Sequence, residues 1–110
     1  MATASYKVLG QSFPSATTNT TLYTVPASTQ TVVSTIVVCN QSSSPTTYRI
    51  AIRPAGAALA SQHYIAYDVA VGGSDSTSIT LGITLATTDV VTVYAGAATV
   101  SFNLFGTEIV

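Results

Sequence analysis

The sequence predicts an all-β protein, an antiparallel β-sandwich or jelly roll of about eight strands, and three observations carry that prediction. Apolar and polar residues alternate with a period of two over most of the chain. Val, Ile, Thr and Tyr, which fit a pleated and half-buried surface, fill the alternating runs. Short clusters rich in Gly, Pro, Asn, Asp and Ser divide those runs at nearly even intervals, and no helical periodicity competes with them. A length of 110 residues fits one domain, and no linker divides it.

Residues 1–20 read as an N-terminal arm. It holds one weak strand, Tyr6–Gln11, and a polar loop from Ser12 to Thr20 around Pro14. Residues 21–110 form the sandwich domain. Its first strand, Thr21–Val25, ends at Pro26, which has no N–H to give a ladder. The next run, Thr31–Asn40, places Val32, Ile36 and Val38 on one face and Val33, Val37 and Cys39 on the other. Apolar on both sides, it reads as a central strand. Gln41–Pro45 is a polar turn, and Thr46–Arg53 alternates with Tyr48, Ile50 and Ile52 inward and Thr47, Arg49, Ala51 and Arg53 outward. Those two runs are expected to pair as a hairpin.

The stretch Pro54–Ser61 is compatible with one helical turn or a loop, because alanine favours helix while Gly56 opposes it. His63–Val69 is a strand with Ile65, Tyr67 and Val69 on one face. After the turn Gly72–Asp75, a strand from Thr77 to Ile83 shows Thr77, Ile79, Leu81 and Ile83 on one side. Ala86–Asp89 turns into Val90–Tyr94, and Gly96–Ala98 turns into a last strand, Thr99–Phe105. Ile109 and Val110 trail beyond Gly106.

Charge is the unusual quantity. Only 6% of residues are Asp, Glu, Lys or Arg, giving a net charge of -1, against about 25% in ordinary soluble domains. A surface so poor in ions is covered by hydroxyls, which about thirty Ser and Thr supply, or by neighbouring molecules. Three basic residues cannot form the patch that nucleic acid or an anionic membrane demands. Mean hydropathy is +0.49, yet the longest apolar run stops at Asn40, far short of a span of about twenty residues. Met1–Gln11 lacks the basic start and apolar stretch of a secretion signal.

Residues able to do chemistry are few. Cys39 is alone, so no internal disulfide forms, and its apolar run reads as burial of a small hydrophobe in a chain made in a reducing cytoplasm. One His and one Cys cannot supply the four ligands of a structural zinc site, and no calcium-loop spacing surrounds Asp75. Asp75 and Asp89 stand where turn carboxylates bond nearby N–H groups. His63 and Asp68 lie close in sequence, but no Gly-x-Ser-x-Gly elbow accompanies them. No cofactor, metal site or enzyme activity is expected.

The residues singled out for an interface are Arg49, Arg53, His63 and Tyr64. Arg49 and Arg53 share a strand face at about 13 Å by strand rise, positioned to pair with carboxylates of a partner subunit or to stand as solvated edge charges. Tyr64 and Tyr67 have opposite parity, so one of them faces outward. With His63 and the arginines, that tyrosine would form a sugar-stacking patch or a subunit contact, or a half-buried aromatic with its hydroxyl at the rim.

Several segments resemble small β-sandwich proteins encoded among the structural genes of tailed bacteriophages. The likeness lies in Leu22–Ala27, in Val37–Asn40 before a Ser-rich turn, in Leu81–Leu85, in Asp89–Ala95 and in Phe102–Ile109. It covers most of the chain from Leu22 onward and consists of strand-and-turn patterns. The resemblance implies a virion accessory component on the capsid surface. The expected role is a capsid decoration (cement) protein, a trimer or dimer that cross-links major capsid protein subunits, many copies acting by avidity. The alternative is a tail or fibre module binding host glycans through Tyr64, Tyr94 or His63.

Overall fold

A computed structural model describes residues 2–110. Its architecture is easiest to build outward from Gln30–Asn40, the strand that is apolar on both faces. Every inward position from Ile36 onward is fully buried: Ile36, Val38 and Asn40. A strand of this kind needs neighbours on both sides, and it has them.

Nine strands occur among the described residues: β1 (Ala4–Ser12), β2 (Thr20–Thr24), β3 (Gln30–Asn40), β4 (Thr46–Arg53), β5 (Tyr64–Val71), β6 (Ser76–Ile79), β7 (Ile83–Leu85), β8 (Val90–Ala95) and β9 (Val100–Ile109). They form two antiparallel sheets. One has the order β1-β9-β3-β6, with β7 also paired to β3; the other has the order β2-β8-β4-β5. The sheets pack face to face as a sandwich. Val33, Ile36, Val38, Phe102 and Leu104 of the first meet Tyr23, Tyr48, Ile50, Val91 and Val93 of the second. Tyr48 and Phe102 meet edge to face across the middle, with ring centres 6.4 Å apart.

The central position of β3 is as expected, but the hairpin with β4 does not form. β3 pairs with β6, β7 and β9, whereas β4 pairs with β5 and β8. The five residues between them carry the chain from one sheet to the other. Asn40 holds that crossing: its buried side-chain amide donates to the carbonyls of Ser44 (2.8 Å) and Gly72 (3.2 Å). Its Oδ1 accepts from the N–H of Ser42 (3.1 Å) and the hydroxyl of Thr99 (3.0 Å).

Other boundaries move for local reasons. Of the residues expected to be an arm, Ala4–Ser12 lies along β9 as an edge strand, so much of that segment is built into the sheet. The strand expected over Thr77–Ile83 is two, β6 and β7, because the chain leaves the sheet at Thr80–Gly82, where Gly82 takes φ +63° and Leu81 turns out to solvent. β9 runs through Gly106 to Ile109 without ending. A side chain at Gly106 would meet the carbonyl of Val32, so the glycine is what lets three strands lie close there. Cys39 is only half-buried, on the outer face of its sheet beside Ser101 and Ser76. No helix among the described residues is long and apolar enough to cross a membrane.

Candidate interaction surfaces

The outer face of the four-stranded sheet gathers three tyrosines, Tyr64, Tyr67 and Tyr94, around Arg49. Arg49 on β4 stands opposite Tyr94 on β8, and on its other side β5 bulges. Asp68, in the left-handed region at φ 51°, is the extra residue of that bulge. A second register shift lies between Ala66 and Tyr64. This second shift brings Tyr64 to the same face as Tyr67 despite their opposite parity, with ring centres 4.9 Å apart at 88°.

The Arg49 guanidinium lies 4.2 Å from the centre of the Tyr67 ring and 4.3 Å from that of Tyr94. Its Nε donates to Asp68 Oδ1 at 2.7 Å and its Nη2 to Oδ2 at 3.3 Å. The hydrogen bond to Asp68 pushes the guanidinium pKa further up, and partial desolvation opposes it. Asp68, Tyr67 and Tyr94 thus engage this cation from three sides within the chain.

Arg53 and His63 have local duties. Arg53 donates to the carbonyls of Ala57 (2.7 Å) and Gly56 (3.1 Å), pinning the single 3₁₀ turn Pro54–Gly56 against β4. His63 is buried at the end of a second 3₁₀ turn, Ser61–His63, where its Nδ1 accepts from the N–H of Ala60 at 3.1 Å. Of the four residues expected at an interface, Arg49 and Tyr64 join one cluster through Tyr67. Arg53 and His63 do not.

A second polar group, missed in the sequence, sits at one end of the sandwich. Glu108 follows Phe102 and Leu104 in inward parity and is buried. It accepts from the Tyr23 hydroxyl across the core at 2.5 Å and pairs with Lys7 at 2.5 Å, while Tyr23 also shares a hydrogen bond with Thr31 at 2.8 Å. The continued alternation through Gly106 was the signal that could have found it.

The remaining carboxylates hold turns. Asp89 accepts from the N–H groups of Ala55 and Ala86, both at 2.8 Å, and Asp75 from that of Ser76 at 2.8 Å. With these, all seven charged side chains are engaged within the chain. None of them lies on the outer face of the five-stranded sheet, where Tyr6 is 85% and Val8 48% exposed and Val32 is also open.

An open cleft of about 400 Å³ lies between the ends of β3, β7 and β9, lined by Gln30, Val32, Thr84, Asp89 and Ile109 among others. Its one carboxylate, Asp89, is already engaged by two backbone N–H groups. Among the described residues no three His, Cys, Asp or Glu side chains come together as a metal-binding group. Neither a family model, nor a curated protein, nor a solved structure matches the chain.

Proposed function

We propose that the chain is a structural virion protein, a capsid decoration (cement) protein that sits on the capsid surface as a small oligomer and cross-links major capsid protein subunits. The observation that carries this reading is the distribution of charge. The ions are turned inward or engaged in the turns and the aromatic cluster, and one broad sheet face is left with apolar, hydroxyl and amide side chains but no ions. A face without ions can be covered permanently without stranding a charge away from water. Many copies, each making a modest contact, hold a lattice by avidity. The test is quantitative mass spectrometry of purified particles: hundreds of copies per virion are expected, and a few copies would overturn the reading.

A tail or fibre module is the second reading, favoured by one observation. Tyr67 is 57% exposed beside Tyr64 on the four-stranded sheet, and an exposed ring is a surface for sugar stacking. Binding to host glycans that disappears with Tyr67→Ala would support it, and the absence of any binding by the purified protein would count against it.

A further inference from the structure

We infer that the edge strand β1 is a self-association site, at which two copies pair antiparallel through Ala4–Val8 and join their five-stranded sheets into one. The inference concerns the oligomer of the proposed reading but does not rest on what that oligomer decorates.

The backbone is the starting point. Thr3 and Val110 exchange both main-chain hydrogen bonds at 2.9 Å, and the register runs unbroken from Ala4 opposite Ile109 to Val8 opposite Phe105. Bonded and non-bonded pairs alternate along an antiparallel ladder. Ser5 and Lys7 therefore bond to β9, while Ala4, Tyr6 and Val8 turn their N–H and C=O groups to the open side. All five residues from Ala4 to Val8 are exposed.

The other open edges are broken. β5 carries two register shifts and the left-handed Asp68, β2 has five residues with one shift, and the edge beside β3 is split between β6 and β7. Past Val8, β1 itself shifts register and comes up against β2, where a side chain at Gly10 would meet the carbonyl of Leu22. The regular open edge is thus confined to Ala4–Val8. Such an edge is normally blunted by charge or proline. Here the one lysine, Lys7, points inward to Glu108, and proline is absent.

The occupant is a second copy because this segment is complementary to itself in a single register. A two-fold axis at Tyr6 sets Tyr6 opposite Tyr6 and Ala4 opposite the other copy's Val8. All three outward-turned residues then pair, for about six main-chain hydrogen bonds. Lys7 falls opposite Ser5. Sliding by one pleat either way loses one of the three pairs, and in one direction sets Lys7 against Lys7, a like-charge contact. The centred register also places the two exposed Tyr6 rings side by side on the ion-free face, adding to it the apolar area that an edge alone lacks.

Sedimentation equilibrium of the full chain tests this, with twice the 11.2 kDa chain mass expected. Tyr6→Pro deletes an N–H that β9 does not use, and Tyr6→Lys sets two cations face to face. Each is expected to halve the mass while circular dichroism keeps the strand signal. In a Cys39→Ser background, Ala4→Cys mixed with Val8→Cys is expected to form a disulfide between the two variants, and Ala4→Cys alone none. A single-chain mass at every concentration would overturn the inference. So would a dimer that both Tyr6 variants leave intact, or Ala4→Cys linking to itself. A dimer in solution with only a few copies per virion would sink the decoration reading and leave this one standing.

Discussion

The Glu108 carboxylate on β9 accepts a 2.5 Å hydrogen bond from the Tyr23 hydroxyl on β2, joining the two sheets across the end of the core. Lys7 on β1 reaches in from the solvent side to balance the charge, and Thr31 on β3 completes the set. Four strands from both layers meet in one polar knot. A buried carboxylate in this position is tolerable only while its partners stay in place.

The knot makes stability depend on pH at both ends. Hydrogen bonds from Lys7 and then Tyr23 hold Glu108 below its ordinary pKa. The unfolded chain therefore takes up that proton first on acidification, so the contribution is present above the ordinary carboxylate pKa and is lost as pH falls through the depressed one. Burial, reinforced by Glu108, pushes Tyr23 up to about 12. Its unfolded form loses the proton first, so stability also declines as pH rises past the ordinary tyrosine value of 10.0. Urea titrations across the pH range check both limbs, and Glu108→Gln is expected to flatten the acid one.

Asn40→Ala is expected to cost about 2–4 kcal/mol, because it strands two carbonyls, an N–H and a hydroxyl at the crossing between sheets. Asn40→Asp is not a rescue. It keeps the acceptor but loses both donated bonds and sets a carboxylate against the carbonyls of Ser44 and Gly72. Equilibrium unfolding in urea measures both, with a fall in midpoint and little change in slope expected.

The way these two groups escaped or surrendered to the sequence shows what a pattern can carry. Alternation assigns a side chain to a face, and it did so for Tyr48 and Ile50, which are buried, and for Arg49, which is not. It does not say which strand lies alongside, so β3 and β4, adjacent in the chain and both strongly patterned, looked like a hairpin while belonging to different layers. Bulges break the rule outright. The register shift between Tyr64 and Ala66 adds one residue to β5, and across it the parity of the tyrosines no longer reports their side. Arg49 was legible as a special residue, yet its partner Asp68 was not, because only the bulge at Asp68 brings that carboxylate to it.

Two glycines separate strain from collision. Gly82 sits at φ +63° with nothing within 4 Å of where a Cβ would lie. Gly82→Ala therefore costs only the left-handed penalty, about 1 kcal/mol. Gly106 has ordinary strand geometry, but a side chain there would press on the Val32 carbonyl and on Val33 in the neighbouring strand. Backbone cannot step aside as a side chain can, so Gly106→Ala is expected to cost several times more, about 3 kcal/mol or above. Parallel thermal melts of the two variants give the comparison.

Arg49→Lys is expected to behave like Arg49→Ala rather than like the native chain. The planar guanidinium fills the space between the Tyr67 and Tyr94 rings while its edge meets Asp68 with two nitrogens. A lysine ammonium can meet the carboxylate, but it has neither a flat face for two rings nor a fork for two oxygens. Without that plug Tyr67 loses its support, and the strained Asp68 conformation loses the bond that offsets it. Hydrogen exchange along β5 is the direct readout. Faster exchange around Tyr67 and Val69 in both variants, with the β3–β9 ladder unchanged, is the expected result. If Arg49→Lys protected β5 as well as arginine does, charge alone would be holding the bulge and the stacked geometry would be incidental.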